Sequence, residues 1–360
     1  MKYDYIIVGS GLFGATFANL ANSADKSCLI IEKRKHIAGN SYTENIQNIN
    51  VHKYGPHIFH TSNKKIWDYV NKFAKFNNYI NRPKVKYKDK LYSFPINLFT
   101  LYQIWGCTTP IAAQQKLDSV KLKIDDPQNL EEYILSQIGE ELYQTFVYGY
   151  TKKQWGTEPK NLPTSIIKRL PIRLNFDDNY FNDVYQGIPI DGYTKMVENM
   201  IKNIPIELDV DFIDDVDYWN KKGTTVVYTG AIDELFLYTH GELKYRSLKF
   251  ETEILNTNDF QGNAIINYTD ENIPHTRITE HKHFEKQQMD VTVITKEYPQ
   301  LWDRTREKYY PINDIINNNL YNKYKLMCNE EFSNMILGGR LACYQYMDMH
   351  QVIGQAMQKR

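Results

Sequence analysis

The sequence predicts an α/β fold in which a discontinuous domain of parallel strands carries a helical insertion and an antiparallel β-sheet insertion. Three observations predict it. The chain opens on a strand, a glycine turn, a helix and a second strand. A helical apolar stripe occupies much of 95–150, and short alternating apolar runs fill 245–298 before strand character returns near the C-terminus.

Taken in order, Tyr5-Ile6-Ile7-Val8 is a β-branched run that breaks into Gly9-Ser10-Gly11-Leu12-Phe13-Gly14. Ala15 to Asn22 forms helix, and Cys28-Leu29-Ile30-Ile31 forms a strand ending on Glu32. Gly9 suits the tight turn, Gly11 lets backbone approach a pyrophosphate, and Gly14 lets the helix pack close to the strand. The helix N-terminus adds free N–H groups and a partial positive charge for the phosphates. Glu32 can accept hydrogen bonds from both ribose hydroxyls of an adenosine and would repel the 2′-phosphate of NADP. Lys33 and Arg34 read, from the residues alone, as solvated charges. The unit is Rossmann-like, and the run from Glu32 to Asn40 resembles the acid-then-glycine pattern of the FAD-binding family that includes glutathione reductase and the amine oxidases. That family often has Gly-Gly where this chain has Ala38-Gly39.

Composition narrows the function classes. A length of 360 residues suggests two or three domains, and 42% hydrophobic residues suffice for a sizeable core. Lys plus Arg (43) balances Asp plus Glu (43), so no global field draws in nucleic acid or an anionic membrane. No apolar run approaches the ~20 residues that cross a bilayer. The chain passes from Met1-Lys2 into a strand without a signal segment, which predicts a cytoplasmic protein. The four cysteines form no CxxC pair and read as reduced thiols. Because tyrosines number 28, each must be judged by its neighbourhood.

Further along, His52, His57 and His60 flank a Gly-Pro turn; without a nearby ligand cluster they read as a cofactor-lining loop, with no metal. Ser62 reads as the N-cap of a helix bearing Ile66, Val70 and Phe73. Val85 to Phe94 reads as a hairpin turning at Lys88-Asp89-Lys90. Ile134, Ile138, Leu142 and Phe146 form a buried helical stripe, mildly interrupted at Gly139. Pro163, Pro171 and their polar neighbours predict a mobile segment around Lys168-Arg169-Leu170-Pro171. Thr225 to Gly230 reads as a strand rejoining the first sheet, Met335 to Arg340 as one more central strand, and Asp348 caps a C-terminal helix. The nucleotide domain is then 1–78, 186–243 and 328–360. A helical domain spans 96–185, and a sheet domain takes 79–95 and 244–327.

Motifs across nearly the whole chain resemble the bacterial UDP-galactopyranose mutase family: DYIIVGSGLFGA (4–15), HKYGPHIFHT (52–61), GYTKKQWG (149–156), IIKRLP (166–171), YRSLKFE (245–251), TRITEHKHF (276–284), TKEYP (295–299), YYPIND (309–314) and GGRLACYQYMDMHQ (338–351). The resemblance implies an isomerase that interconverts UDP-galactopyranose and UDP-galactofuranose for cell-surface glycans, using N5 of reduced FAD as a nucleophile. It implies a homodimer and an external reductant.

It also implies residue roles. Arg169 and Arg277 clamp the diphosphate through charge-assisted, forked hydrogen bonds. Tyr150 stacks on uracil and Trp155 lies near the galactose. Asn81, Phe146, Thr151 and Tyr180 make other nucleotide contacts, and the phenols of Tyr310 and Tyr346 reach the diphosphate. On the FAD side stand Gly9, Gly11, Phe13, Gly14, Glu32, Lys33, Gly39, Asn40, His57, Ile58, Thr229, Gly230, Arg340, Tyr346, Asp348 and Met349. His60 is a candidate for the proton of ring opening. The competing reading is an FAD-dependent oxidoreductase of the amine-oxidase or desaturase type, which shares the first domain. The paired arginines and clustered aromatics argue against it.

Overall fold

The computed structural model describes residues 2–167 and 172–360. The chain divides into two units, one comprising Met1–Asn78, Asp183–Arg246 and Trp302–Arg360, the other Tyr79–Asn182 and Ser247–Leu301.

The first unit is built on β1 (Tyr3–Val8), α1 (Leu12–Asn22) and β2 (Cys28–Glu32). Five parallel strands run in the order Met335–Leu337, Gly223–Tyr228, β1, β2, Ile206–Leu208. Ile6 pairs with Val226 on one side and with Leu29 on the other. Ile6, Ile7, Ile30 and Ile31 are fully buried, as expected for central strands covered on both faces. Helix α1 is buried along most of its length and packs against the C-terminal helix Met349–Lys359. This close packing needs Gly14: a Cβ there would stand 1.9 Å from the Gly9 carbonyl oxygen and 3.1 Å from Ile7. Thr225 to Tyr228 joins the first sheet as the sequence predicts, about two hundred or more residues downstream of β1. Met335 to Leu337 joins it too, but as an edge strand, and the expected run to Arg340 turns into a short helix at Gly339–Ala342.

In the second unit the strands run Tyr245–Leu255 (entering from the first unit at its Tyr245–Arg246 end), Thr292–Leu301, Arg277–Glu280, Ile265–Tyr268, Lys84–Tyr87, Lys90–Ser93. The hairpin forms with Lys88 at positive φ in its turn. The sheet is not purely antiparallel, because Ile265–Tyr268 and Lys84–Tyr87 pair in parallel. The two strands are distant in sequence, so no tight turn dictates their direction. The helical part packs Ile134, Ile138, Leu142 and Phe146 into one core with Phe94, Ile96 and Leu101. Gly139 (φ 73°, ψ 176°) interrupts the Leu130–Tyr143 helix. A π-helical turn at Gln144–Tyr148 then leads into the helix Gly149–Trp155.

The N-cap of the Lys64–Val70 helix is Asn63, whose side chain accepts from Lys65 N and Ile66 N; Ser62 does not cap it. Both residues have capping chemistry, and the hydroxyl of Ser62 is instead drawn to Asp183 (2.8 Å).

Glu280 shows how the sheet unit secures a buried charge. Burial alone would raise its pKa, but His283, the Thr292 hydroxyl and the N–H groups of Gln261 and Phe260 outweigh it and hold the carboxyl at about 2, against an ordinary 4.5. A depressed acid contributes stability that is complete above its unfolded pKa and is lost as pH falls through the folded one. Thermal melts should therefore lose Tm between pH 4.5 and 2. Glu280→Gln should flatten that slope while lowering Tm at pH 7 by an amount equivalent to about 1–3 kcal/mol; an unchanged slope contradicts the assignment. Gly14→Ala should cost about 1–3 kcal/mol or more by overpacking and yield protein with little bound nucleotide cofactor, checked by melting and by absorbance of the purified protein.

Candidate active site

In the first unit, the glycine turn ends at the N-terminus of α1, where Gly11 is the N-cap and no side chain caps the helix. Gly11 and Gly39 meet backbone to backbone: a Cβ on Gly39 would lie 3.0 Å from the Gly11 Cα, while one on Gly11 would meet nothing nearer than 3.9 Å. Uncapped N–H groups, a helix dipole and room for close approach suit a pyrophosphate. Glu32 is buried at the end of β2 and accepts from Ser10 N (2.9 Å), Ser10 Oγ (2.7 Å) and Arg34 N (3.0 Å). Its anchored carboxylate retains acceptor capacity for ribose hydroxyls. These residues fit a dinucleotide.

The remaining cofactor candidates fall into distinct settings. Thr229 Oγ1 donates to Val8 O (2.6 Å), which brings Thr229 and Gly230 to the glycine turn. Phe13 is buried beneath Gly338, so in this fold it packs the turn. Ile58 is buried beside His57, whose N–H donates to His52 Nδ1 (3.0 Å). Lys33 is exposed. Arg34 departs from the solvated charge expected: it is half-buried, donates to Asn40 Oδ1 (3.0 Å) and Glu307 Oε2 (2.8 Å), and covers the Tyr54 ring at 4.5 Å. Burial would lower its pKa, but Glu307 outweighs that and raises it. Glu307 lies so far along the chain that no local pattern announces the pair.

Arg340 donates to Tyr309 O (2.7 Å) and lies over the ring of Tyr346 (4.7 Å), which stacks with Tyr310 at 6.0 Å. Its Nε is buried with no hydrogen-bond partner among the described residues. Asp348 starts the C-terminal helix as expected; its N–H donates to Gln351 Oε1 (2.8 Å), and Met349 is the first helical residue.

The structure adds a partner that the sequence did not suggest. His60 is buried on the strand Phe59–Thr61, which pairs with Tyr185–Gly187. This ladder brings Asp183 to His60, with Oδ2 2.6 Å from Nδ1, while Ser62 Oγ donates to Oδ1 (2.8 Å). Burial would raise the Asp183 pKa, but bonds from His60 and Ser62 outweigh it and lower it. An ionised Asp183 accepts from Nδ1–H, which fixes the ring's tautomer and orientation. The His350 ring stands edge-on to His60 at 4.9 Å, and burial followed by electrostatic interaction with His60 pushes the His350 pKa down.

Two clusters among the described residues bring three possible metal ligands within 4.8 Å of one another: His60, Asp348 and His350, and Asp259, Glu280 and His283. In the first, His60 Nδ1 is engaged by Asp183; in the second, Glu280 is engaged by the sheet unit's own hydrogen bonds.

In the second unit, Arg277 Nη2 donates to the Tyr150 phenol (3.1 Å), Nε donates to Asn267 Oδ1 (3.1 Å), and Nη1 lies 3.6 Å from buried Glu297. Burial raises the Tyr150 pKa and the guanidinium opposes it, so the phenol stays a neutral hydrogen-bonding group. Asn267 and Glu297, absent from the sequence expectations, hold the guanidinium in place. Asn81 is buried and its carbonyl accepts from Tyr180 N (2.8 Å). The Phe94 ring stacks on Phe146 at 6.1 Å and meets Tyr180 at 6.2 Å, which gathers Asn81, Phe146 and Tyr180. Thr151 is buried on the Tyr150 helix, and Trp155 packs against the helical core. Arg169, and with it the core of the expected mobile segment, lies outside the described residues.

Comparison with known proteins bears on this arrangement. Residues 145–346 match the UDP-galactopyranose mutase family, and residues 7–73 match the NAD(P)-binding Rossmann-like domain. A dTDP-fucopyranose mutase of Escherichia coli is 41% identical over 98% of this chain and 96% of its own length. A probable UDP-galactopyranose mutase of Klebsiella pneumoniae is also 41% identical, over 98% of this chain and 93% of its own. The crystal structure of a reduced UDP-galactopyranose mutase shares the fold, with a TM-score of 0.77 over 99% of this chain and 92% of that one, at 15% identity. A putative protoporphyrinogen oxidase from Exiguobacterium shares it more loosely, with a TM-score of 0.65 over 98% and 97% of the two chains at 12% identity. The cofactor that this fold and family take is FAD, in keeping with the glycine turn and Glu32. The chain belongs to the UDP-galactopyranose mutase family and is an isomerase, an intramolecular transferase built on an FAD-binding fold.

Proposed function

We propose that the protein interconverts UDP-galactopyranose and UDP-galactofuranose in the cytoplasm, supplying galactofuranose for cell-surface glycans. The observation that carries the substrate chemistry is the Arg277 guanidinium held by Asn267 and Glu297 and donating to Tyr150. A preorganised guanidinium suits a diphosphate, whose charge grows as it leaves the sugar. Arg169 is proposed as the second cation, and Tyr310 and Tyr346 offer phenolic donors to the diphosphate. Tyr150 offers an aromatic face to the base, and Asn81, Phe146, Thr151, Trp155 and Tyr180 are proposed to complete the nucleotide-sugar contacts.

Reduced FAD, when bound, would supply N5 as a nucleophile toward the anomeric carbon. The chain's contribution begins with Gly9, Gly11, Gly14 and Glu32, which hold the dinucleotide. The N-terminus of the Met349–Lys359 helix brings a partial positive charge that favours an anionic reduced flavin. His60, with Nδ1 committed to Asp183, can accept and return a proton at Nε2 during ring opening. An external donor reduces the flavin, and the protein acts as a homodimer.

A second reading is favoured by one observation: the E. coli dTDP-fucopyranose mutase matches this chain at the same 41% identity as the Klebsiella relative. The substrate would then be a dTDP-fucose.

Dithionite-reduced protein incubated separately with UDP-galactofuranose and dTDP-fucofuranose, with chromatographic analysis of the products, tests both readings. UDP-galactopyranose should form with reduced and not with oxidised protein. Conversion of the dTDP sugar alone establishes the second reading, and conversion of neither overturns both. Arg277→Ala should lower kcat/KM by about 10²–10³-fold with FAD retained. Asp183→Asn should lower kcat by about 10–100-fold and shift the pH–rate profile with little change in KM; a wild-type profile removes Asp183 from the mechanism.

A further inference from the structure

Lys153 lies in the Gly149–Trp155 helix, three residues beyond Tyr150 and therefore on the same side of it. Its ammonium is surrounded by four backbone carbonyl oxygens: Tyr268 at 2.8 Å, Asp270 at 2.8 Å, Ile273 at 2.8 Å and His275 at 3.1 Å. An ammonium has three hydrogens, so at least one is shared, and the arrangement is that of a monovalent cation inside a carbonyl cage. The Tyr268 oxygen ends the strand Ile265–Tyr268, and the other three belong to the loop that joins it to the strand Arg277–Glu280. Without a cation at the centre, four carbonyl dipoles would converge on one another, each with a desolvation cost.

The helix also meets this loop through backbone. A Cβ on Gly149 would stand 2.2 Å from Thr269 O, so only glycine allows the approach. Thr269 Oγ1 donates to Thr145 O (2.6 Å), and Lys152 Nζ reaches Glu271 (3.1 Å) on the outer side. Burial pushes the Lys153 pKa down to about 8, which still leaves the ammonium charged at neutral pH. The helix and the loop thus converge from two directions on one contact, the Tyr150 phenol and Arg277 Nη2 at 3.1 Å.

We propose that Lys153 is a positioning residue for the nucleotide site, its ammonium serving as a built-in cation that folds the 268–275 loop around itself and so sets the Tyr150–Arg277 pair. Lys153 acts through these two side chains, and the proposal rests on the reading that they receive the nucleoside diphosphate.

The test is titration of the FAD-loaded, full-length protein with UDP by calorimetry, alongside flavin absorbance and steady-state kinetics. Wild-type protein is titrated first; if it binds neither UDP nor dTDP, the reading beneath the proposal fails. If it binds, Lys153→Met should keep its flavin, bind UDP at least tenfold more weakly, and raise KM for the sugar nucleotide more than it lowers kcat. Lys153→Ala should regain UDP affinity on addition of ethylammonium, which can re-enter the cage, and not on addition of tetramethylammonium, which has no N–H. UDP affinity within twofold of wild type in Lys153→Met, or weakened affinity that ethylammonium does not restore in Lys153→Ala, overturns the proposal. Should Lys153→Met give no soluble flavoprotein, Lys153→Gln, which keeps two N–H donors without the charge, is judged by the same affinity criterion.

Discussion

The contact between Gly14 and the Gly9 carbonyl is the constraint on which the cofactor unit depends. At that point α1 and the turn from β1 come closer than any side chain permits, since a Cβ would sit 1.9 Å from the oxygen. The approach aims the α1 N-terminus at the space over Gly11 and leaves Ser10 within reach of Glu32. N–H groups suited to an anion and a carboxylate suited to a ribose thus become neighbours through backbone geometry. Their separation along the chain is what one strand–turn–helix–strand unit consumes.

The second unit solves a different problem with similar means. The guanidinium proposed to meet the diphosphate is held in one orientation by its neighbours. Asn267 and Glu297 come from the two strands that flank the Arg277 strand, and Tyr150 comes from a helix that follows a π-helical turn. A π-turn shifts the angular register of the residues after it, and such turns recur at functional sites. Polar groups that satisfy one another preorganise the site at low reorganisation cost, which is where most electrostatic catalysis originates. The carbonyl cage around Lys153 extends this logic to the loop leading into Arg277.

The relatives place the chemistry in a family whose fold is shared with redox flavoproteins, and fold alone does not choose between isomerisation and oxidation. Full-length relatives at 41% identity decide for the mutase family. That two such relatives carry different sugar nucleotides in their names shows how narrow the remaining question is: both substrates are nucleoside diphosphates, which differ in the base methyl, the ribose hydroxyl and the sugar.

What the sequence determined by itself was everything carried by short-range periodicity and by turns: β1, α1, β2 and Glu32; the hairpin at Lys88; the Ile134–Phe146 stripe; and the helix beginning at Asp348. Side chains separated by a few residues are constrained by the local repeat, so their pattern is legible. Motif resemblance added Arg277 and Tyr150 in separate roles, and the structure brings the two into contact. Tertiary structure alone decided the meetings between residues far apart: His60 with Asp183, Arg34 with Glu307, Arg277 with Glu297, Lys153 with four carbonyls, and the parallel pairing of Ile265–Tyr268 with Lys84–Tyr87. Where two groups offer the same local chemistry, as Ser62 and Asn63 do for one helix cap, local pattern cannot choose between them. The choice follows from which partner the folded backbone brings near, and for Ser62 that partner, Asp183, is 121 residues away.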